Sequence, residues 1–130
     1  MTGERGRRRA RRQRLSRSAE FDRVYREGRS HASRYLVLYA FPREEPTEEA
    51  RLGVSVGRKV GGAVERNRVK RLLREAFRAF EGELPDGHDF VVVARPDAAE
   101  LAERDGEQGV ERALGELLEK AGFVPAEAAK

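Results

Sequence analysis

The chain has 130 residues, 38% apolar and 38% charged, with a formal net charge of +4. This suits one domain with a modest core and some sequence that never packs. It contains no cysteine, which excludes disulfides, thiol nucleophiles and thiolate metal sites. There is no apolar run near the ~20 residues of a bilayer span, and no apolar segment behind the basic N-terminus to make a secretory signal, so a cytoplasmic location is expected. The net charge conceals an asymmetry. Residues 1–80 carry 22 Lys/Arg against 10 Asp/Glu (+12), and residues 81–130 carry 5 against 13 (−8). A half this basic points to a polyanion, with nucleic acid foremost. Charge balancing for solubility is the competing explanation.

In chain order, residues 1–14 (MTGERGRRRARRQR) hold seven arginines and almost nothing to bury, and read as a disordered basic arm. SAEFDRVYREG (18–28) reads as a short helix, with Ser18 as N-cap, Gly28 as stop, and Phe21, Val24 and Tyr25 on one face. YLVLYAF (35–41) is an apolar run of strand length. PREEPTEEA (42–50) is a polar loop with two prolines. RLGVSVG (51–57) alternates strictly, placing Leu52, Val54 and Val56 on one side of a half-buried strand. Gly57, Gly61 and Gly62 mark a turn, and a helix follows from about Ala63 to Phe80. LPDGHD (84–89) is turn chemistry, and DFVVVAR (89–95) is a strand apolar on both faces, hence central. A last helix is expected from about Gln108 to Ala121, with Val110, Ala113, Leu114, Leu117 and Leu118 as its core stripe. The sum is a small sheet with helices packed against it, α+β or α/β. The expected organisation is an arm over 1–14, one RNA-binding domain over 15–123 and a flexible tail over 124–130.

The helix at 63–80 carries the chemistry. On a wheel of ~100° per residue with Arg66 at zero, Arg66, Lys70, Arg74, Asn67, Arg78 and Arg71 fall between about 0° and 140°. Val69, Leu72, Leu73, Ala76, Ala79 and Phe80 fall between about 220° and 340°, Phe77 lies at the seam near 20°, and Glu75 and Arg68 occupy the remaining edge. Arg66, Lys70, Arg74 and Arg78 therefore make a like-charge ladder at i,i+4, which opposes helix formation by a few tenths of a kcal/mol per step. An anionic ligand offsets that repulsion. Phosphate suits it, because guanidinium groups bind phosphate oxygens bidentately, and Asn67 can reach a base edge or a 2′-hydroxyl. A merely solvated face and a membrane-surface helix are the alternatives.

RKVGGAVERNRVKRLLREAFR (58–78) closely resembles the signature of the bacterial ribonuclease P protein subunit: a basic pair, a glycine turn, Ala-Val, then Arg-Asn-x-x-Lys-Arg-x-x-Arg. The matching positions are Lys59, Gly61, Ala63, Val64, Arg66, Asn67, Lys70, Arg71 and Arg74. Gly62 departs from it, since relatives often carry Asn there. The resemblance covers most of the chain, leaving out the arm 1–13 and the tail after about Phe123. It implies an α+β fold of the ribosomal protein S5 domain 2-like class: a mainly antiparallel four-stranded sheet in the order αβββαβα, with a βαβ crossover that is left-handed in the family. It also implies an enzyme that removes the 5′ leader from precursor tRNA, leaving a 5′-phosphate on the mature end. In that family a large RNA subunit with bound Mg²⁺ is the catalyst and the protein is an accessory. By resemblance, Lys59, Arg66, Asn67, Arg68, Lys70, Arg71 and Arg74 dock on the RNA subunit. Phe21, Tyr25, Val37 and Tyr39 line a cleft for the single-stranded leader. From spacing alone those four read as core residues.

The residues agree with a non-catalytic protein. A protein nuclease needs metal-binding carboxylates or a positioned base. The only histidines, His31 and His88, fall in or beside expected turns, and Glu44, Glu45, Glu48 and Glu49 sit in a loop where positioning is poor. No catalytic residue is therefore expected in the chain, and the sequence singles out no residue as a metal ligand. The expected partners are the catalytic RNA and precursor tRNA, with no DNA and no membrane. A ribosomal-type structural RNA-binding protein is the alternative; it shares the basic helix but needs no aromatic cleft. A DNA-reading helix-turn-helix wants a helix before 63–80, where the sequence has a strand and a glycine turn.

Overall fold

Period-two alternation organises the middle of the chain, because successive strand residues point to opposite faces. The structure is a computed structural model and describes residues 29–42, 50–85 and 87–124. Its elements are β1 (Arg29–Ala32), β2 (Leu36–Pro42), β3 (Arg51–Val56), α1 (Ala63–Phe80), β4 (His88–Ala94) and α2 (Ala98–Lys120), with 3-10 turns at Arg58–Val60 and Glu81–Glu83. The sheet order is β1-β2-β4-β3. β1 and β2 pair antiparallel, as do β2 and β4, while β3 and β4 are parallel neighbours joined through α1. The fold is thus α+β with a mixed four-stranded sheet. The arm, the helix expected at 18–28, the glutamates at 44–49 and the tail from 125 lie outside the described residues.

DFVVVAR is the central strand, as its two apolar faces require: Phe90, Val91 and Val92 are all 0% exposed. On one face of the sheet, Leu36, Leu38 and Ala40 of β2, Leu52 and Val56 of β3, and Phe90, Val92 and Ala94 of β4 form the core. Both helices pack on that face, α2 over β1 and β2 and α1 over β3, and they pack against each other. Phe77 of α1 and Phe123 meet Phe90 with ring centroids at 5.7 and 5.1 Å. β1, with the sequence RSHA, shows no apolar pattern and exists by pairing with β2. It puts His31 in a strand rather than a turn, with Nδ1 buried and without a hydrogen-bond partner.

Two details differ from the sequence reading. The buried stripe of α1 is Val69, Leu72, Leu73, Ala76, Phe77 and Phe80. Phe77 belongs to the core and Ala79 is exposed. The helix turns so that an aromatic ring, which buries far more apolar area than a methyl, meets Phe90. Secondly, α2 begins at Ala98, ten residues before the expected start, and bends at Gly106, where φ is 59° and ψ is −145°. That conformation is essentially restricted to glycine. It interrupts the helical periodicity and so hid the first half, although Leu101 and Ala102 are buried there.

Candidate nucleic-acid interface

α1 is introduced by a tight turn. Gly61 has φ 159°, and a Cβ there would lie 3.0 Å from the Glu65 Cβ, so the turn tolerates no side chain without a shift. The Glu65 carboxylate accepts a hydrogen bond from the Gly62 amide at 2.9 Å, which satisfies one of the helix's free N–H groups and complements its positive end. This fixes where the basic residues start.

With Phe77 inward, the exposed arc of α1 is centred on Asn67, Arg71 and Arg78, all exposed. One shoulder faces α2: Arg68 Nη2 donates to the Ala102 carbonyl at 3.1 Å. The other shoulder carries Arg66, Lys70 and Arg74, half-buried, with aliphatic stems suited to lie along apolar neighbours while their charges stay wet. Arg66 Nε donates weakly back to the Gly62 carbonyl at 3.4 Å. Lys59 is exposed in the 3-10 turn before α1. Among the described residues, Lys59, Lys70, Arg71 and Arg78 form no ion pair; the pairs present are Arg34–Asp97, Arg51–Asp89 and those of Arg104 with Glu100 and Asp105. The surface is thus cationic, and these four side chains carry no counter-charge among the described residues.

α2 flanks α1 on the Arg68 side, and α1 lies over β3, the sheet's edge strand. The Arg66–Lys70–Arg74 shoulder therefore runs beyond that edge. Around the edge lies the second face of the sheet. By register it carries Val37, Tyr39 and Phe41 on β2, Val91 and Val93 on β4, and the small residues Gly53 and Ser55 on β3. Tyr39, Phe41 and Val93 pack on Val91 as an apolar cluster separate from the main core. On this face β2 carries large side chains and β3 small ones. At the Phe41 end the face is closed by Arg51 and Asp89, which are cross-strand partners. Arg51 Nε and Nη2 donate to the two Asp89 oxygens, both at 2.8 Å, and Asp89 is wholly buried. Among the described residues no group of three or more His, Asp or Glu side chains converges to hold a metal ion, and no described helix is long and apolar enough to cross a membrane.

The Ribonuclease P family model matches residues 10–121. The chain belongs to the ribonuclease P protein family. A ribonuclease P protein component from Clostridium acetobutylicum is 41% identical over 111 residues, covering 85% of this chain and 90% of the relative. One from Shouchella clausii is 42% identical over 102 residues, covering 78% and 83%. Among solved structures, the Staphylococcus aureus RNase P protein superposes with a TM-score of 0.75 at 32% identity, covering 85% of this chain and 96% of that one. The Thermotoga maritima RNase P protein gives 0.73 at 36% identity, covering 84% and 97%. The family's fold is the one seen here, and the family role carries tRNA processing and RNA binding with it.

Of the residues that resemblance to ribonuclease P proteins singles out, the fold gathers Lys59, Arg66, Asn67, Arg68, Lys70, Arg71 and Arg74 on or beside one helix, with Arg68 turned to α2. Val37 and Tyr39 share the second sheet face, while Phe21 and Tyr25 lie outside the described residues. Phe41, Val91 and Val93 join that face and were missed. The alternation in YLVLYAF and the two-faced apolarity of DFVVVAR were the signals for them. Nothing in the sequence signals the Arg51–Asp89 pair, because parallel pairing alone brings those residues together.

Proposed function

We propose that the chain is the protein subunit of a ribonucleoprotein ribonuclease P, in which the RNA subunit performs the cleavage and the protein binds both that RNA and the 5′ leader of precursor tRNA. One observation carries this reading: a cationic helix face and an apolar sheet face that carries aromatic rings lie on either side of a single edge strand, β3. A folded RNA and the precursor must approach each other as two polyanions. Lys59, Asn67, Lys70 and Arg71 meet the first through phosphate and 2′-hydroxyl contacts and lower the mutual repulsion. Tyr39 and Phe41 offer ring surface to unpaired bases, where stacking contributes about 1–3 kcal/mol per base with little sequence demand. That suits a leader whose sequence varies from one tRNA to the next.

Mg²⁺ bound to the RNA would supply the activated water and the neutralisation of developing charge that phosphodiester hydrolysis needs. The protein's residues are assigned positioning only.

The test compares binding of precursor and mature tRNA to the protein–RNA complex. Precursor is expected to bind about tenfold or more tightly, matching one to two stacked bases, with Tyr39→Ala reducing the difference. Equal affinity for the two would remove the leader site. The protein alone should leave precursor tRNA uncut, and adding it to the RNA subunit should lower the Mg²⁺ required. A ribosomal-type RNA-binding protein would bind structured RNA yet leave cleavage unaffected.

A further inference from the structure

Val64 is 81% exposed, the one large hydrophobic side chain left in solvent among the described residues. A lone exposed apolar residue is commonplace, but this one has an unusual setting. It stands in the first turn of α1, and valine is a poorer helix former than alanine because its branched Cβ loses rotamers against the preceding turn. It belongs to neither apolar cluster among the described residues, so burial there contributes little to the fold. On the wheel that places Arg66 at zero, Val64 falls near 160°, within about 60° of Arg71, Arg78 and Asn67. These four residues form the crest of α1, farthest from the core. Val64, Asn67 and Arg71 follow at i, i+3 and i+7, a row about 10 Å long. Arg71, in the same row, forms no ion pair among the described residues. An apolar tip at the head of an uncompensated cationic ridge matches a polyanion that also has an apolar surface.

We infer that Val64 is an RNA-contacting residue, packing its methyl groups against the ribose edges in the shallow minor groove of a double-helical segment of the RNA subunit. A-form RNA presents its sugars and 2′-hydroxyls in a wide, shallow minor groove. A branched aliphatic tip fits the C–H surface of the sugars, Asn67 reaches the adjacent 2′-hydroxyl, and Arg71 binds a flanking phosphate. This rests on the functional reading above, and it adds a contact that salt does not screen.

The experiment measures binding of the full chain to the RNA subunit across a salt series, for wild type, Val64→Ala, Val64→Thr, Val64→Ile and Arg71→Ala. Val64→Ala and Val64→Thr are expected to weaken binding about five- to tenfold, the loss of one to two buried methyl equivalents. The slope of log affinity against log salt should not change, since no phosphate contact is lost. Val64→Ile should keep wild-type affinity, and Arg71→Ala should make the slope shallower by about 0.7–0.9. No Val64 variant should melt below wild type by more than about a degree or two, because the side chain is solvated, and Val64→Ala should melt at or slightly above it, as the better helix former. Wild-type affinity in Val64→Ala and Val64→Thr, with the RNA subunit still preferred over an unrelated folded RNA, would overturn this contact alone. A wild-type chain with no such preference would overturn the functional reading and this contact with it.

Discussion

Replacing Arg51 with methionine should unfold the protein far more readily than any change on the cationic helix. Asp89 is wholly buried in the central strand, and its two oxygens receive the Nε and Nη2 of Arg51 at 2.8 Å each. Arg51 retains 21% side-chain exposure at the sheet edge. Removing the guanidinium leaves a carboxylate in the interior without that counter-charge, which costs about 3–5 kcal/mol. Whole domains are stable by only about 5–15 kcal/mol, so Arg51→Met should lower the urea midpoint sharply and the melting temperature by at least about 10 °C. The reverse change, Asp89→Leu, leaves a partly solvated arginine and should cost less. The double variant Arg51→Met with Asp89→Leu should recover much of the loss, since an apolar pair can replace a buried ion pair at little net cost. Urea unfolding followed by circular dichroism, read as a double-mutant cycle, should give a coupling above about 2 kcal/mol. A loss below about 1 kcal/mol for Arg51→Met, or a double variant no better than it, would refute the reasoning.

Lys59→Ala combined with Arg71→Ala should make the salt dependence of RNA binding shallower by about 1.4–1.8 while shifting stability by no more than about 0.5 kcal/mol; an unchanged slope would place both cations off the interface. Arg68→Ala should lose its bond to the Ala102 carbonyl and about 0.5–1.5 kcal/mol of stability in urea unfolding, whereas Arg71→Ala should not. Gly106→Ala should destabilise by about 1–3 kcal/mol, because φ 59° with ψ −145° strains any side chain; a neutral result would mean α2 straightens at no cost.

Much of the site was legible because it is local in sequence. Arg66 to Phe80 lies within one helix, so residue spacing alone sorts its cations from its core. Strand residues at even spacing were legible for the same reason, and Val37 and Tyr39 follow from the alternation that buries Leu36 and Leu38. The wheel left Phe77 at the seam and put Ala79 with the core, because a seam position can turn either way, and the partner that settles it, Phe90, is thirteen residues beyond Phe77. The first half of α2 was hidden because Gly106 and the acids around it look like loop chemistry, while Leu101 and Ala102 hold that half down through contacts distant in sequence.

What the sequence determined by itself was which groups are present and which share an element: a basic helix with one apolar flank, a two-faced central strand, a basic half and an acidic half. These are set by periodicity and composition, which act over a few residues. Only the tertiary structure decided which elements are neighbours. Pairing β3 parallel to β4 brings Arg51 to Asp89, puts small residues at the sheet's edge and sets the cationic shoulder of α1 beside the apolar face. The turn of α1 toward Phe90 then chose its crest and left Val64 at the tip. Such outcomes depend on burying the most apolar area with every buried charge paired, a condition on the whole fold that no window of the chain contains.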